Sequence, residues 1–447
     1  MPQILKFSDG TTTVDFVTST SGYAVTRWDT AVAKRRRSML GGRGPYEDVV
    51  EVMEITIHGT AALDRLQTLQ KLFEQATRWE RGESVSAVLL HYQPESTSQE
   101  WKATITGADG NEPMIRLPEN FVMSPVFDYI DPVRLRFRRH GLWLGESVTS
   151  TSSAAAHPTT LTMDMTTSVD IASPVVLRLQ DAAQQDAGAY DSFVLMVSGA
   201  TTTEAASRLV LVNAETMTTT GWTSVADTAA DAKNGAVLRY TPTTTSFSKS
   251  DLESITATAD FNMRRWGMFV NYRNNSTAAS YQVRGVMNGT ERTPILQIAS
   301  GTSGPTWAYL GAVALDRVPF GVQLEAKASS TGGTIDFDTV ALLAMDGSAS
   351  PHVVAPIRKS EAVSAGDFDL IIDHQLLSKN GPFVGIDNTE TQGQGYYGDA
   401  TLMMRGRYIA AAWLSVDPNS QWVRTTAGNA VSSAFVATRL EGRLTPE

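Results

Sequence analysis

The residues of this chain best suited to chemistry are two acidic pairs, Asp336 with Asp338 and Asp367 with Asp369. Residues i and i+2 of a strand face the same side, so each pair would present two carboxylates together. Such a pair can bind a hard cation such as calcium, act as the two acids of a glycosidase, or simply line a solvated strand face. Asp336 and Asp338 are the candidate ligands of a structural calcium, and no other cofactor is suggested. A second group is aromatic. Trp266, Tyr272, Trp307 and Tyr309 fall on or near expected strands. Flat rings on a β-sandwich can stack on sugars, and rings of this size equally fill cores. The third group is basic. Lys34-Arg35-Arg36-Arg37 leads into Gly41-Gly42-Arg43-Gly44-Pro45. Lys34, Arg35, Arg36, Arg37 and Arg43 are candidate contacts to a neighbouring subunit, and a solvated hairpin tip is the alternative.

Other chemistries lack their patterns. The six histidines are scattered without metal-ligand spacing. There is no G-x-S-x-G elbow and no kinase or dinucleotide fingerprint. The Gly/Arg loop also lacks the lysine pattern of a phosphate-binding loop. The chain is therefore expected not to be an enzyme. With 0 cysteines, thiolate metal sites and disulfides are excluded. A net charge of -10 opposes a nucleic-acid partner, which needs a basic footprint. The opening Met1-Pro2-Gln3-Ile4-Leu5-Lys6 has no signal-peptide core. No apolar run approaches the roughly 20 residues of a membrane span. A soluble protein made in the cytoplasm, without membrane insertion, is expected.

The elements that must position these groups are mostly strands. The 447 residues suggest two to four domains. Only 19% are charged, so much of the surface must be Thr, Ser, Asn, Gln and Gly, and β-branched Thr suits half-exposed strands. Asp9-Gly10 sits between apolar runs at 4–7 and 14–17, a hairpin signal. Val50, Val52, Ile55 and Ile57 alternate along a strand at 49–57. One amphipathic helix is expected over 60–81, capped by Thr60 and ended by Gly82, with Leu63, Leu66, Leu69 or Gln70, Leu72, Phe73, Ala76 and Trp79 toward a sheet. Strands are expected at 85–92, 101–106 and 122–129. At 133–139 arginines occupy one face and apolar residues the other, with only Arg139 breaking the alternation. The Ser/Thr/Ala-rich stretch 147–160 reads as a linker. Short strands recur from 175 to 212 and from 236 to 344, with turns at Asn274-Asn275 and Asn288-Gly289. Prolines at 351–357 mark a second boundary, strands and loops resume after it, and 387–399 reads as a long loop. The fold class is mainly β with one N-terminal helix: a mixed α+β platform, then β-sandwiches.

Two resemblances follow from these residues. The strand pair Ile4–Phe7 and Val14–Val17, the Lys34–Pro45 loop, and Ile55-Thr56-Ile57-His58-Gly59-Thr60 running into a helix resemble the N-terminal domain of distal tail proteins of long-tailed bacteriophages. More broadly, they resemble the tail-tube fold. That resemblance covers 1–146 and implies a virion protein of the tail, assembled in the host cytoplasm and closed into a hexameric ring. Its partners would be itself, tail-tube and tail-tip proteins, and receptor-binding proteins. Asn213-Ala214-Glu215, Gly221-Trp222 and Thr334-Ile335-Asp336-Phe337-Asp338-Thr339-Val340-Ala341-Leu342 resemble the opening and closing parts of a carbohydrate-binding-module jelly roll. That likeness implies host-surface glycans as a further partner and an acidic residue supporting calcium. The implied domains are a ring domain at 1–146, a linker at 147–160, a sandwich from 161–213 with 352–447, and an inserted jelly roll at 214–350. A major tail-tube subunit with an outer decorative domain, and a glycan-binding adhesin or accessory module, stand as alternatives.

Overall fold

The computed structural model describes residues 2–37, 43–81, 83–107, 114–117, 129–153, 155–156, 159–166, 168–169, 171, 173–181, 190–227, 232, 234–255, 265–315, 320–345, 352–359, 368–373, 383–385, 396–397, 403–416, 425–426, 429–430 and 432–445. The protein is mainly β. The first hairpin joins Ile4–Ser8 to Thr13–Asp15, with Phe7 opposite Val14. The Asp9 carboxylate accepts from the Thr11 and Thr12 amides at 2.8 and 2.6 Å, which closes the turn. Ile4–Ser8 pairs onward with Leu89–Gln93, and that strand with Trp101–Gly107. The long strand Val49–His58 lies between Tyr23–Asp29 and Tyr129–Arg139. Helix Ala62–Glu80 buries Leu66, Leu69, Leu72, Phe73, Ala76 and Trp79 in the core of these sheets. Phe7 sits at its centre, edge-on to Phe16, Phe73 and Phe137 at 5.2–5.4 Å.

Two local expectations change. The helix starts at Ala62 with Ala61 as its cap residue and no side-chain cap, so Thr60 does not fill that role. Instead the Ala62 amide donates to the Gly59 carbonyl at 2.9 Å. The Val49–His58 strand turns Val49, Glu51, Met53 and Ile55 inward, leaving Val50 and Val52 half-buried on the outer face. Val50 and Val52 share no parity with Ile55 and Ile57, so one regular strand could not bury all four. Gly82 and most of the strand expected at 122–129 lie outside the described residues.

The largest departure is at the expected linker. Strand Trp143–Thr151 starts beside Trp101–Gly107, with Leu144 opposite Lys102. It then pairs over Ser147–Thr151 with the chain's last strand, Ser432–Arg443. Ala155–Ala156 pairs with that strand too. Residues 147–151 are thus a strand, and their Val/Thr content suits one. Composition alone cannot show a partner nearly 300 residues away. Ser432–Arg443 pairs on its other side with Ser173–Asp181, Leu177 opposite Ala437. A second sheet runs Thr160–Asp164, Tyr408–Val416, Tyr190–Gly199, His352–Lys359 and Tyr396–Tyr397. Met163, Leu177, Val194, Met196, Ile409, Trp413 and Phe435 form the core here.

Within this sandwich the chain detours from 209 to 345 through two further sheets. One runs Trp222–Ala226, Ala236–Tyr240, Ile335–Ala344, Arg265–Asn274 and Thr306–Ala314, with Leu209–Asn213 also pairing Ile335–Ala344. The other joins Ser248–Lys249 and Glu253–Ile255 to Phe320–Ala328, then Tyr281–Met287, which pairs Glu291–Arg292 and Leu296–Ile298. Asn288 and Gly289 have φ of 53° and 74° in the turn between Tyr281–Met287 and Glu291–Arg292, the sign that Asn-Gly tolerates best. Trp222, Tyr240, Trp266, Tyr281, Leu324, Phe337 and Leu342 fill the space between the sheets. A further cluster joins this unit to the preceding one. Phe269, Trp307, Ala341 and Leu343 meet Leu195, Val197, Ala410, Ala412 and Leu414. A second helix, Thr202–Arg208, was not anticipated. The Thr201 hydroxyl accepts from the Glu204 amide at 3.1 Å and the Glu204 carboxylate accepts from the Ala200 amide at 2.7 Å, a reciprocal cap that Thr201-x-x-Glu204 could have disclosed. Among the described residues no helix is long and apolar enough to cross a membrane.

Candidate binding surfaces

The basic segment forms a small ribbon separate from the large sheets. Arg35–Arg37 pairs antiparallel with Arg43–Tyr46, placing Arg37 opposite Arg43 and Arg35 opposite Tyr46. The side chains of Arg35, Arg36, Arg37 and Arg43 lie outside the described residues, whereas Lys34 is exposed. The ribbon closes at its root, where the Glu47 amide donates to the Lys34 carbonyl at 2.8 Å.

Beneath that root lies a buried ion pair made from the two residues that break their strands' patterns. Arg139 and Glu51 are both 0% exposed. Arg139 Nε donates to Glu51 Oε1 at 2.7 Å, and Trp28 Nε1 donates to Glu51 Oε2 at 2.8 Å. The guanidinium also donates to the His140 carbonyl at 2.8 Å and the Ala31 carbonyl at 3.1 Å, and lies over the Trp143 ring. Burial pushes the Arg139 pKa down, against the opposing pull of Glu51. The Ala31 bond ties the segment entering the ribbon to the sheet. On the other side Asp48 accepts from Thr106 at 3.1 Å and contacts His140 Nδ1 at 3.0 Å. Burial raises the Asp48 pKa, but the His140 and Thr106 contacts and the Arg138 charge outweigh it and hold the carboxyl below its usual value. Arg138 also pairs with Glu80 at the end of the long helix.

The acidic pair is not arranged as expected. Asp336 is 0% exposed and lies opposite Arg239 on one neighbouring strand and Arg273 on the other. Arg239 grips both of its oxygens at 2.7 and 2.9 Å, and Arg273 adds a bond at 3.2 Å. A carboxylate already held by two guanidinium groups is ill-suited to take a calcium ion as well. Asp338 is buried too and accepts from the Thr339 hydroxyl at 2.9 Å. Among the described residues no group of three or more His, Asp or Glu side chains could hold a metal ion. Asp367 and the side chain of Asp369 lie outside the described residues.

The four aromatic candidates do not share a surface. Trp266 is fully buried between the two 209–345 sheets, and Tyr272 packs partly buried against the same core. Trp307 is 6% exposed in the cluster that joins this unit to the preceding sandwich. Only Tyr309 is open, at 45%, tilted against Phe269 with ring centroids 4.8 Å apart. Trp266, Tyr272 and Trp307 serve packing, the first two against the opposing sheet and Trp307 against the neighbouring sandwich.

A polar face escaped the sequence reading. On the other sheet of this unit, Glu325 lies opposite Arg284 on one side and Lys249 on the other, while Lys327 lies opposite Gln282. Arg284 Nε donates to Glu325 at 2.5 Å, and Arg292 Nε donates to it at 3.3 Å. The Arg284 guanidinium stacks on Phe247 at 4.3 Å, with the Lys327 ammonium 5.8 Å from the same ring. Gln282 and Arg284 on one strand, and Gln323, Glu325 and Lys327 on the other, each at every second position, were the available signal. Only the cross-strand register shows that they share one face.

No protein-family model matches this chain, and no curated protein matches it. Solved structures resemble it faintly. A GH26-CBM35 β-(1,4)-mannanase of Podospora anserina is 15% identical over 32% of this chain and 29% of its own, with a TM-score of 0.24. The CBM36-1 domain of a multidomain xylanase from the hindgut metagenome of Trinervitermes trinervoides is 12% identical over 31% of this chain and 99% of its own, with a TM-score of 0.23. A chain of the phage p2 baseplate, in its activated conformation with Sr, is 8% identical over 75% of this chain and 97% of its own, with a TM-score of 0.21. Likenesses at this level assign no function.

Proposed function

We propose that this protein is a structural component of a phage tail of the distal-tail type. Residues 1–146 close a ring through the basic ribbon, and the β-rich remainder projects outward toward partner proteins or host glycans. It acts by assembly rather than catalysis. The observation that carries this reading is the ribbon itself: a short two-stranded arm outside the core sheets, with an arginine-rich sequence and a root held by the Arg139–Glu51 pair. Among the described residues the two strands of this arm pair only with each other, and such an arm suits contact with a copy in cyclic symmetry. Native mass spectrometry of the full chain tests it. A closed ring is expected, and replacing Arg35, Arg36 and Arg37 together by Glu should reduce it to monomer. A ring that survives the triple substitution removes the arm from the interface. A wild-type chain that stays monomeric at every working concentration overturns the ring.

A further inference from the structure

We propose that the open sheet face around Arg284 and Lys327 is a binding site for an acidic glycan, a polysaccharide with carboxylate groups on its rings. This rests on the reading of the 209–345 unit as an outward module. Lys249 and Arg284 lie opposite Glu325, Arg292 donates to it, and Lys327 follows it two positions on, so four cations share the face with this one buried carboxylate, although the Lys249 ammonium also donates to the Gly289 carbonyl at 2.9 Å. The whole chain carries a net charge of -10, so this positive patch runs against the average and favours an anionic partner.

The arrangement is also pre-organised. Glu325 is 4% exposed and fixes Arg284 through Nε, while Phe247 supports the guanidinium plane from one side. Among the described residues, both terminal nitrogens of Arg284 are left without a protein acceptor, as are the Lys327 ammonium and the Gln282 amide. Arg284 and Lys327 are diagonal neighbours across two strands, about 7 Å apart by strand geometry. A planar guanidinium fork matches a carboxylate, and a nearby ammonium adds a point charge. Gln282, two positions before Arg284 on the same strand and opposite Gln297 of the edge strand Leu296–Ile298, can meet ring hydroxyls. The unit's other sheet has part of its outer face covered through Phe269, Trp307 and Leu343.

Calorimetric titration of the full chain with hexagalacturonate, and with its fully methyl-esterified form, tests the inference. The acid should bind and the neutral ester should bind at least tenfold more weakly. Affinity for the acid should fall at least fivefold between 50 and 300 mM salt. Lys327→Gln, whose ammonium lies 5.8 Å from the Phe247 ring, and Arg284→Gln should each weaken binding at least fivefold. Their thermal unfolding reports whether the fold is intact. No binding of the acid, equal binding of acid and ester, or binding untouched by Lys327→Gln in a folded protein overturns the proposal. The ring measurement is independent. A chain that binds the acid but never assembles keeps this site and loses the ring, and a chain that assembles but does not bind does the reverse.

Discussion

Glu51 and Arg139 are charged residues on inward strand positions, and each alone would be a costly burial. Together they are neutral and nearly saturated with hydrogen bonds, which is the condition for tolerating a buried ion pair. Glu51→Ala would leave the Arg139 charge buried with two carbonyls but no anion, and would strip the acceptor from Trp28. The expected loss is about 3–5 kcal/mol of unfolding free energy, measured by urea titration. Asp48 makes a second residue-level prediction. Its folded pKa lies below the ordinary carboxylate value of 3.8, so the unfolded state binds more protons there and stability rises with pH through that range. The contribution is complete above the unfolded pKa and is lost as pH falls through the lower folded value. Asp48→Asn should therefore flatten the acid limb of the stability–pH curve below about pH 4. An unchanged limb in parallel melts would show that Asp48 contributes nothing there.

At the scale of elements, Ser432–Arg443 links parts of the chain far apart in sequence. It pairs with Trp143–Thr151 on one side and Ser173–Asp181 on the other. Phe435 and Ala437 also contribute to the sandwich core. Deleting residues 432–447 should unfold that sandwich while the Phe7-centred core persists. Limited proteolysis should then yield a protected fragment ending near residue 145, and a protected sandwich would show that the last strand is dispensable. The same shared strand explains why 147–151 reads as a linker by composition. Ser and Thr say only that the segment is polar, and pairing makes it a strand. The helix and the first hairpin were legible because their signals are local: 3.6-residue periodicity and an Asp-Gly turn.

For the whole molecule, the 209–345 unit is held against the preceding sandwich by an apolar contact in which Leu343 and Leu195 are fully or almost fully buried. Leu343→Asp would place an unpaired charge in that contact. The two units should separate, seen as a larger radius of gyration in X-ray scattering with the unit's own tryptophan core intact. A radius equal to that of the native chain would mean the contact does not hold them. This docking also decides the fate of the aromatic candidates. Trp307 reads as a sugar platform from its place on a strand, yet it faces another sheet of the same chain.

Strand-rich composition, the Asp-Gly hairpin, the amphipathic helix and the basic loop were readable from the residues alone, because each depends on neighbours a few positions away. The candidate sites were not. Asp336 and Asp338 alternate as a pair should, but whether they meet calcium or arginine depended on which strands lie beside them. The arginines that hold Asp336 are 97 and 63 residues earlier in the chain. The cationic face around Arg284 likewise exists only once strands from 248 to 327 are in register. Side-chain period is local, whereas strand order and sheet-on-sheet contact arise from long-range packing, and these alone decided which polar residues could act together.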